Sequence, residues 1–228
     1  MLKIPFIKRE NYIVLKAYTF NLRTAERSPI VNTYKVKPSG SCPADKTAMG
    51  FKTCLAWIKT QRQSLTIPMW TEMECKNFLT GDFFRVPSGN FTSVIYQEED
   101  SLYGLEQGTH LMKILAPWAC ETNKPEVDFI FSKHILNHTP MDIVTGVLSF
   151  SDYVYAPNIF YRHRDSDNYK VRLNTPLVSM YPTSDLPLHV ECYCDPAKYQ
   201  LLHDTQISTR PYFRATGLKD VINHRRNQ

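Results

Sequence analysis

Glycine is scarce in this chain, with 8 in 228 residues against 15 prolines. No Gly-rich phosphate loop, Gly-x-Ser-x-Gly elbow or His-Glu-x-x-His helix is present. The phosphate-cradle, nucleophile-elbow and zinc-protease chemistries that those motifs serve therefore find no support. Long apolar runs are also missing. No stretch approaches the ~18 residues of a membrane span, and Met1–Phe6 lacks the long apolar core of a secretory leader. The expectation is a protein of the cytosol, or one assembled from it, with no membrane partner. The six cysteines (Cys42, Cys54, Cys75, Cys120, Cys192 and Cys194) are too dispersed for a small disulfide scaffold, and free thiols are expected. Charge of one sign is not concentrated either. Lys and Arg number 27 against 22 Asp and Glu, a net +5. The densest basic group is only Asn223–Asn227. A nucleic-acid footprint needs clustered positive charge on one face, so a dedicated nucleic-acid role is not expected.

What the chain does have is rings. Its 13 Tyr, 12 Phe and 3 Trp make 12 % of the residues, and apolar residues make 43 %. That is enough to bury a core, and aromatic and β-branched residues suit pleated, half-buried surfaces. Asn11–Phe20 reads as a strand and Ile30–Lys37 as a second, before a Pro/Ser/Gly break at 38–43. A helix is expected over Lys46–Thr60, with Met49, Cys54, Trp57 and Ile58 on one face. Leu65–Cys75 resumes strand character, and Pro68 inside it implies an edge strand or a bulge. Phe83–Val86 and Phe91–Tyr96 read as the arms of a hairpin around 87–90. Beyond residue 105, apolar runs recur at intervals of roughly ten residues, as in an all-β sandwich or barrel. They are Leu111–Leu115, Val127–Phe131, Asp142–Ser149, Tyr153–Tyr161, Tyr169–Leu173, Leu177–Tyr181 and Leu188–Cys192. Two helices are expected at the end, Pro196–His203, with proline in the first turn, and Leu218–Arg225.

Several groups could carry chemistry. His134 and His138 are four apart and His163 could join them on a metal. Asn137, Thr139 and Pro140 make a loop of the segment, however, and three ligands are normally required. Cys192-Tyr193-Cys194 lacks the second cysteine pair of a zinc site. On a strand, both sulfurs would instead share one face, as small apolar side chains turned to a core. Asp142, Asp152, Asp165 and Asp167 are close in sequence, yet residues 162–168 mix signs as an exposed hairpin loop does. Trp118 is either a ligand-stacking ring or core, and its large area favours core. Tyr153, Tyr155 and Tyr161 form part of an aromatic stripe along one strand. Such a stripe packs on a core, or marks a protein interface if exposed. No catalytic residue, metal or cofactor is assigned. The binding candidates are Trp118, Tyr153, Tyr155 and Tyr161.

The order of several short pieces resembles an uncharacterised family of tailed bacteriophages, including myophages of marine cyanobacteria. Those pieces are Ala116-Pro117-Trp118, Thr145-Gly146-Val147 leading to Asp152-Tyr153, Asn174-Thr175-Pro176-Leu177-Val178 ending at Tyr181-Pro182, Tyr199 with Leu202, and Arg210-Pro211-Tyr212-Phe213. Upstream, Thr53-Cys54-Leu55 and Ile67–Glu72 resemble that family's helix-to-strand junction. Within residues 110–182, Gly146–Ser149 to Tyr153 followed by Asn174–Val178 faintly resembles the dUTPase-like β-clip. There Asn174 takes the place of a glycine, and Asn is the residue that best tolerates a left-handed backbone in its stead. Ser149 stands where that family has its water-activating aspartate, and a hydroxyl does not replace a carboxylate base. The resemblance thus implies shared topology without shared catalysis.

The sequence therefore points to a mainly β protein of the α+β kind with few short helices. Its core would be an antiparallel sandwich or barrel, or β-clip-like, with two C-terminal helices. Residues 1–100 would form an N-terminal β-rich region with one helix, packed on a C-terminal region, 101–228. The expected function is that of a non-enzymatic phage protein acting through contacts with other phage proteins or with itself, in the virion or its assembly. The alternative is a phage protein that binds a nucleotide or small molecule through a degenerate β-clip core.

Overall fold

The computed structural model describes residues 11–36, 55–76, 84–85, 94–96, 105–150 and 157–203. In chain order its elements begin with β1 (Ile13–Thr19), α1 (Leu22–Arg27), β2 (Val31–Asn32), a 3-10 turn (Thr33–Lys35) and α2 (Leu55–Arg62). There follow β3 (Leu65–Pro68), β4 (Met73–Cys75), β5 (Phe84–Arg85), β6 (Val94–Tyr96), β7 (Thr109–Leu115) and β8 (Ala119–Thr122). The remaining strands are β9 (Asp128–Lys133), β10 (Asp142–Ile143), β11 (Gly146–Ser149), β12 (Asn158–Arg164), β13 (Tyr169–Val171), β14 (Pro176–Pro182) and β15 (Leu188–Cys194). A helix, α3, covers residues 196–203. The protein is mainly β, as its composition implies, and no sheet closes into a barrel among the described residues.

Four sheets share the strands, in the orders β15-β1-β8, β10-β12-β7-β6, β11-β9-β14-β3-β2 and β13-β4-β5. Each joins strands from both sides of residue 100. One continuous core runs between them, with Leu15, Met73, Ile114, Phe129, Tyr161 and Val178 all buried in it. Pairing is antiparallel except at β1, which runs parallel to β15 from Ile13 beside Leu188 to Thr19 beside Cys194. β8 flanks the other edge of β1 antiparallel. Apolar side chains on both faces of β1 explain its position: Ile13, Leu15 and Ala17 enter the main core, while Tyr18 faces Tyr199 and Leu202 of α3. A strand covered on both faces reads as a near-continuous apolar run, which is how Ile13–Thr19 reads. Lys198 of α3 pairs with Glu121 of β8 at 2.8 Å, and the Tyr18 hydroxyl donates to the same carboxylate at 2.7 Å. The helix is thereby fixed to the sheet.

Several expected elements change shape. The second strand covers only Val31–Asn32 before the chain turns into the 3-10 segment, where the Thr33 amide donates to Ser64 O at 2.9 Å. The helix expected from Lys46 is described from Leu55 and runs on to Arg62. Met49, Cys54 and the rest of 46–54 lie outside the described residues, as does Leu218–Arg225. Between β1 and β2 stands a helix with no apolar period to announce it, α1, whose start is capped by the Asn21 side chain accepting from the Thr24 amide. The two arms expected as one hairpin belong to different sheets: β5 pairs with β4, and β6 with β7. Asp142–Ser149 is likewise two strands, β10 on β12 and β11 on β9. At Gly146 the chain lies on the Phe131 ring, where a Cβ would sit 2.8 Å from Cζ, so a larger residue cannot enter β11 there without displacing the ring. Pro68 stands opposite Pro176 beside a register shift, which fits the bulge expected of it, since neither residue has an N–H for the ladder.

Asn174 has φ of 63°, the left-handed conformation expected where the resemblance places it at a glycine position. The turn closes through the Thr175 amide on Arg172 O at 3.1 Å, and the Ser28 hydroxyl donates to Asn174 Oδ1 at 2.7 Å. Both Asn174→Ala and Asn174→Gly lose that side-chain bond, but only alanine carries a Cβ penalty at positive φ. Urea unfolding should therefore place the alanine variant about 1 kcal/mol below the glycine variant. Equal stabilities would contradict this reading of the turn.

Candidate functional site

The richest gathering of polar side chains surrounds the end of the β7–β12 pair. Along β12, alternation sends Ile159, Tyr161 and His163 inward and Phe160, Arg162 and Arg164 outward. The outward arginines line a cleft of about 570 Å3 with Thr109, Glu106, Lys133, Asp142 and Asp167. Arg162 pairs with Asp142 at 2.8 Å, in register with the β10–β12 ladder. The Lys133 ammonium donates to Thr139 O at 2.7 Å. Among the described residues no carboxylate lies within ion-pair distance of the Arg164 guanidinium.

Behind this wall, two histidines face each other across the ladder, His163 opposite His110. His110 Nε2 is 2.8 Å from Asp165 Oδ1, an ion pair when the ring is protonated. His163 is fully buried. Its Nε2 donates to Lys76 O at 3.1 Å, which requires the proton on that nitrogen, and Nδ1 is 3.8 Å from Asp167 Oδ2. Burial lowers the His163 pKa, and the Asp167 charge offsets part of that effect. The two aspartates are held by a tight turn. The Asp165 amide donates to Gly108 O at 2.8 Å, and Asp167 Oδ2 accepts from the Arg164 amide at 2.8 Å. Gly108 has φ of 76°, and a Cβ there would meet Asp165 Oδ2 at 2.9 Å.

Deeper still, the Tyr161 and Tyr169 hydroxyls lie beside the Cys75 thiol, where β12 packs on the β13–β4 pair. Burial pushes the Cys75 thiol up to about 11 and both phenols well above their usual range. All three groups are held neutral and protonated. A buried, protonated thiol is not a ready nucleophile, and among the described residues the polar side chains of the cleft can bind and orient polar groups.

Trp118 and Tyr161, two of the candidate binding residues, are fully buried in the main core and present no ring to a partner or ligand. Tyr153 and Tyr155 lie outside the described residues. The three histidines weighed for a metal lie apart in the fold: His134 is buried, His138 is exposed on the loop beyond it, and His163 is in β12. Among the described residues, no group of three or more His, Cys, Asp or Glu side chains is placed to hold a metal ion. Cys192 packs against the core edge and its thiol donates to Ile30 O at 3.4 Å, while Cys194 is exposed. The His110–Asp165 pairing was missed because the two residues are 55 positions apart. The period-two alternation Ile159, Tyr161, His163 would have placed His163 inward.

Outside the cleft the surface carries a different feature. On the outer face of the five-stranded sheet, Val147, Ile130 and Tyr181 are register neighbours across β11, β9 and β14. Val147 is 66 % exposed and Ile130 40 % exposed, an apolar row facing solvent at a sheet edge. On the β3 side of that face Thr66 and Ser179 are buried.

Comparison with protein-family models, curated proteins and solved structures gives no match for the chain.

His134, buried in the loop after β9, offers a clean test of the fold's electrostatics. Its Nδ1 accepts from the Leu136 amide at 3.0 Å, and burial lowers its pKa from 6.5 to about 4. A folded pKa below the unfolded one means that the unfolded chain binds the proton better. Stability is then complete above pH 6.5 and is lost as pH falls toward 4, by about 3 kcal/mol. His134→Asn keeps an acceptor for the Leu136 amide and removes this titration. Urea unfolding from pH 7 to 4 should show the unmodified chain losing about 3 kcal/mol more than the variant. Parallel stability curves would refute the assignment.

Proposed function

We propose that this chain is a non-enzymatic bacteriophage protein acting through protein–protein contact, as a component of the virion or of its assembly in the host cytoplasm. The observation that supports it is the Val147–Ile130–Tyr181 row. Three apolar side chains side by side on adjacent strands, with β11 the outermost described strand of that sheet, form a surface that a protein partner can cover. Of its ladder neighbours on that face, Ser132 and Ser149 are small and uncharged, and Asp128, opposite Ser149, places a carboxylate at the end of the row. The phage assignment follows from the order of the sequence pieces that resemble the tailed-phage family.

A second reading follows from the cleft. Its polar lining and the Arg164 guanidinium suit a small molecule with an anionic group, a nucleotide among them. Thermal-shift screening separates the two readings, because a ligand at a hundred times its dissociation constant adds about 2.7 kcal/mol of stability. A flat response across a panel of nucleotides and metabolites removes this second reading.

For the first reading, mass spectrometry of purified particles of the encoding phage should detect the protein. The double substitution Ile130→Glu, Val147→Lys should abolish its incorporation, while stability stays within about 1 kcal/mol because both sites face solvent. Absence of the unmodified protein from particles and from assembly intermediates would count against this reading. So would normal incorporation of the double variant.

A further inference from the structure

We propose that the cleft at the end of the β7–β12 pair binds a small zwitterion of the amino-acid class, its carboxylate on the Arg164 guanidinium and its ammonium on the Glu106 carboxylate. The proposal rests on the second reading of the cleft and names the ligand class that this reading leaves open. Most of the charge on this wall is already matched in place. Arg162 pairs with Asp142 at 2.8 Å, and the Lys133 ammonium donates to Thr139 O at 2.7 Å. Asp167 Oδ2 accepts from the Arg164 amide at 2.8 Å, with His163 Nδ1 3.8 Å away. Two groups are left, one of each sign. Among the described residues, neither the Arg164 guanidinium nor the Glu106 carboxylate enters an ion pair or a hydrogen bond, although both line the same cleft of about 570 Å3.

The backbone sets the gap between them. Arg164 is the ladder partner of Thr109 at the end of β12. Glu106 opens the turn into β7, where its carbonyl accepts from the Thr109 amide at 3.0 Å, and Gly108 O in the same turn accepts from the Asp165 amide at 2.8 Å. Both charges therefore flank Thr109, which also lines the cleft, yet they stand beyond ion-pair distance of each other. A ligand that carries both signs bridges that gap, and the planar guanidinium fork matches a carboxylate. An anion alone would leave the Glu106 charge facing it across the cleft. A cation alone would meet three basic side chains, Lys133, Arg162 and Arg164. Leu105 and Pro140 are the apolar residues of the lining, and no aromatic ring is among its described residues. A short aliphatic chain thus finds contact there, whereas a nucleobase finds no ring to stack on. The volume lies within the range of small-molecule sites.

Isothermal titration calorimetry of the full chain tests this assignment. The probes are the common L-amino acids, a nucleoside monophosphate, and the tightest amino acid stripped of its amino group or of its carboxylate. The expected result is saturable binding of at least one amino acid, with each stripped compound at least about 10-fold weaker for the loss of one charge-assisted contact. Arg164→Gln should weaken the amino acid and its deaminated form alike. Glu106→Gln should weaken the amino acid and leave the deaminated form no weaker. Both side chains face solvent, so both variants keep the fold. If the deaminated acid or the monophosphate binds as tightly as any amino acid, the cleft is an anion site: the second reading stands and the zwitterion is wrong. Failure of every amino acid also overturns the zwitterion, and the second reading falls with it only if the nucleotide and metabolite panel is flat as well. Amino-acid binding that both substitutions leave unchanged overturns the assignment too.

Discussion

Everything in this fold depends on where β1 lies. It is the middle strand of its sheet, and both of its faces are covered. Ile13, Leu15 and Ala17 carry the main core on one side, and Tyr18 takes α3 on the other. Its parallel partner is drawn from residues 188–194 and its antiparallel partner from 119–122. Two distant stretches of chain must therefore be in place before the first strand can be buried. Long-range pairings of this kind are entropically costly to close, and they tie the whole molecule into one cooperative unit. The Lys198–Glu121–Tyr18 contacts add direction to that arrangement more than energy, since all three groups retain some access to solvent.

The β12 strand does for the polar groups what β1 does for the apolar ones. Its alternation divides one short sequence between two environments. Tyr161 and His163 enter a buried, neutral interior, and Arg162 and Arg164 face an open, charged cleft. The same backbone ladder that opposes His163 to His110 sets Arg162 against Asp142. The turn through Gly108 and Asp165–Asp167 then holds the carboxylates where the histidines need them. These polar groups stabilise and position one another, and the buried thiol and phenols stay protonated.

Much of the architecture was legible where a local pattern decides the outcome. The apolar run at 11–20 became β1, the proline-led segment at 196–203 became a helix, Asn174 adopted positive φ, and Pro68 marked a bulge. Other features were hidden because they depend on distant partners. The Phe83–Val86 and Phe91–Tyr96 segments have good hairpin spacing, but β4 and β7 compete successfully for them. Asp142–Ser149 reads as one strand, yet its two halves pair with different neighbours. The α1 helix is too short to show an apolar period. At the site, Trp118 was correctly weighed toward core by its size, whereas the His110–Asp165 pair joins residues 55 positions apart and leaves no local signature.

The most direct test of this account is native-state hydrogen exchange resolved to single amides across rising denaturant. With β1 at the centre of one cooperative core, the Leu15 and Ala17 amides should rank among the slowest. They should open in the same transition as those of β9 and β14. Exchange of β1 and β15 at markedly lower denaturant, while β9 and β14 stay protected, would show that the first strand is only an accessory to a core that forms without it.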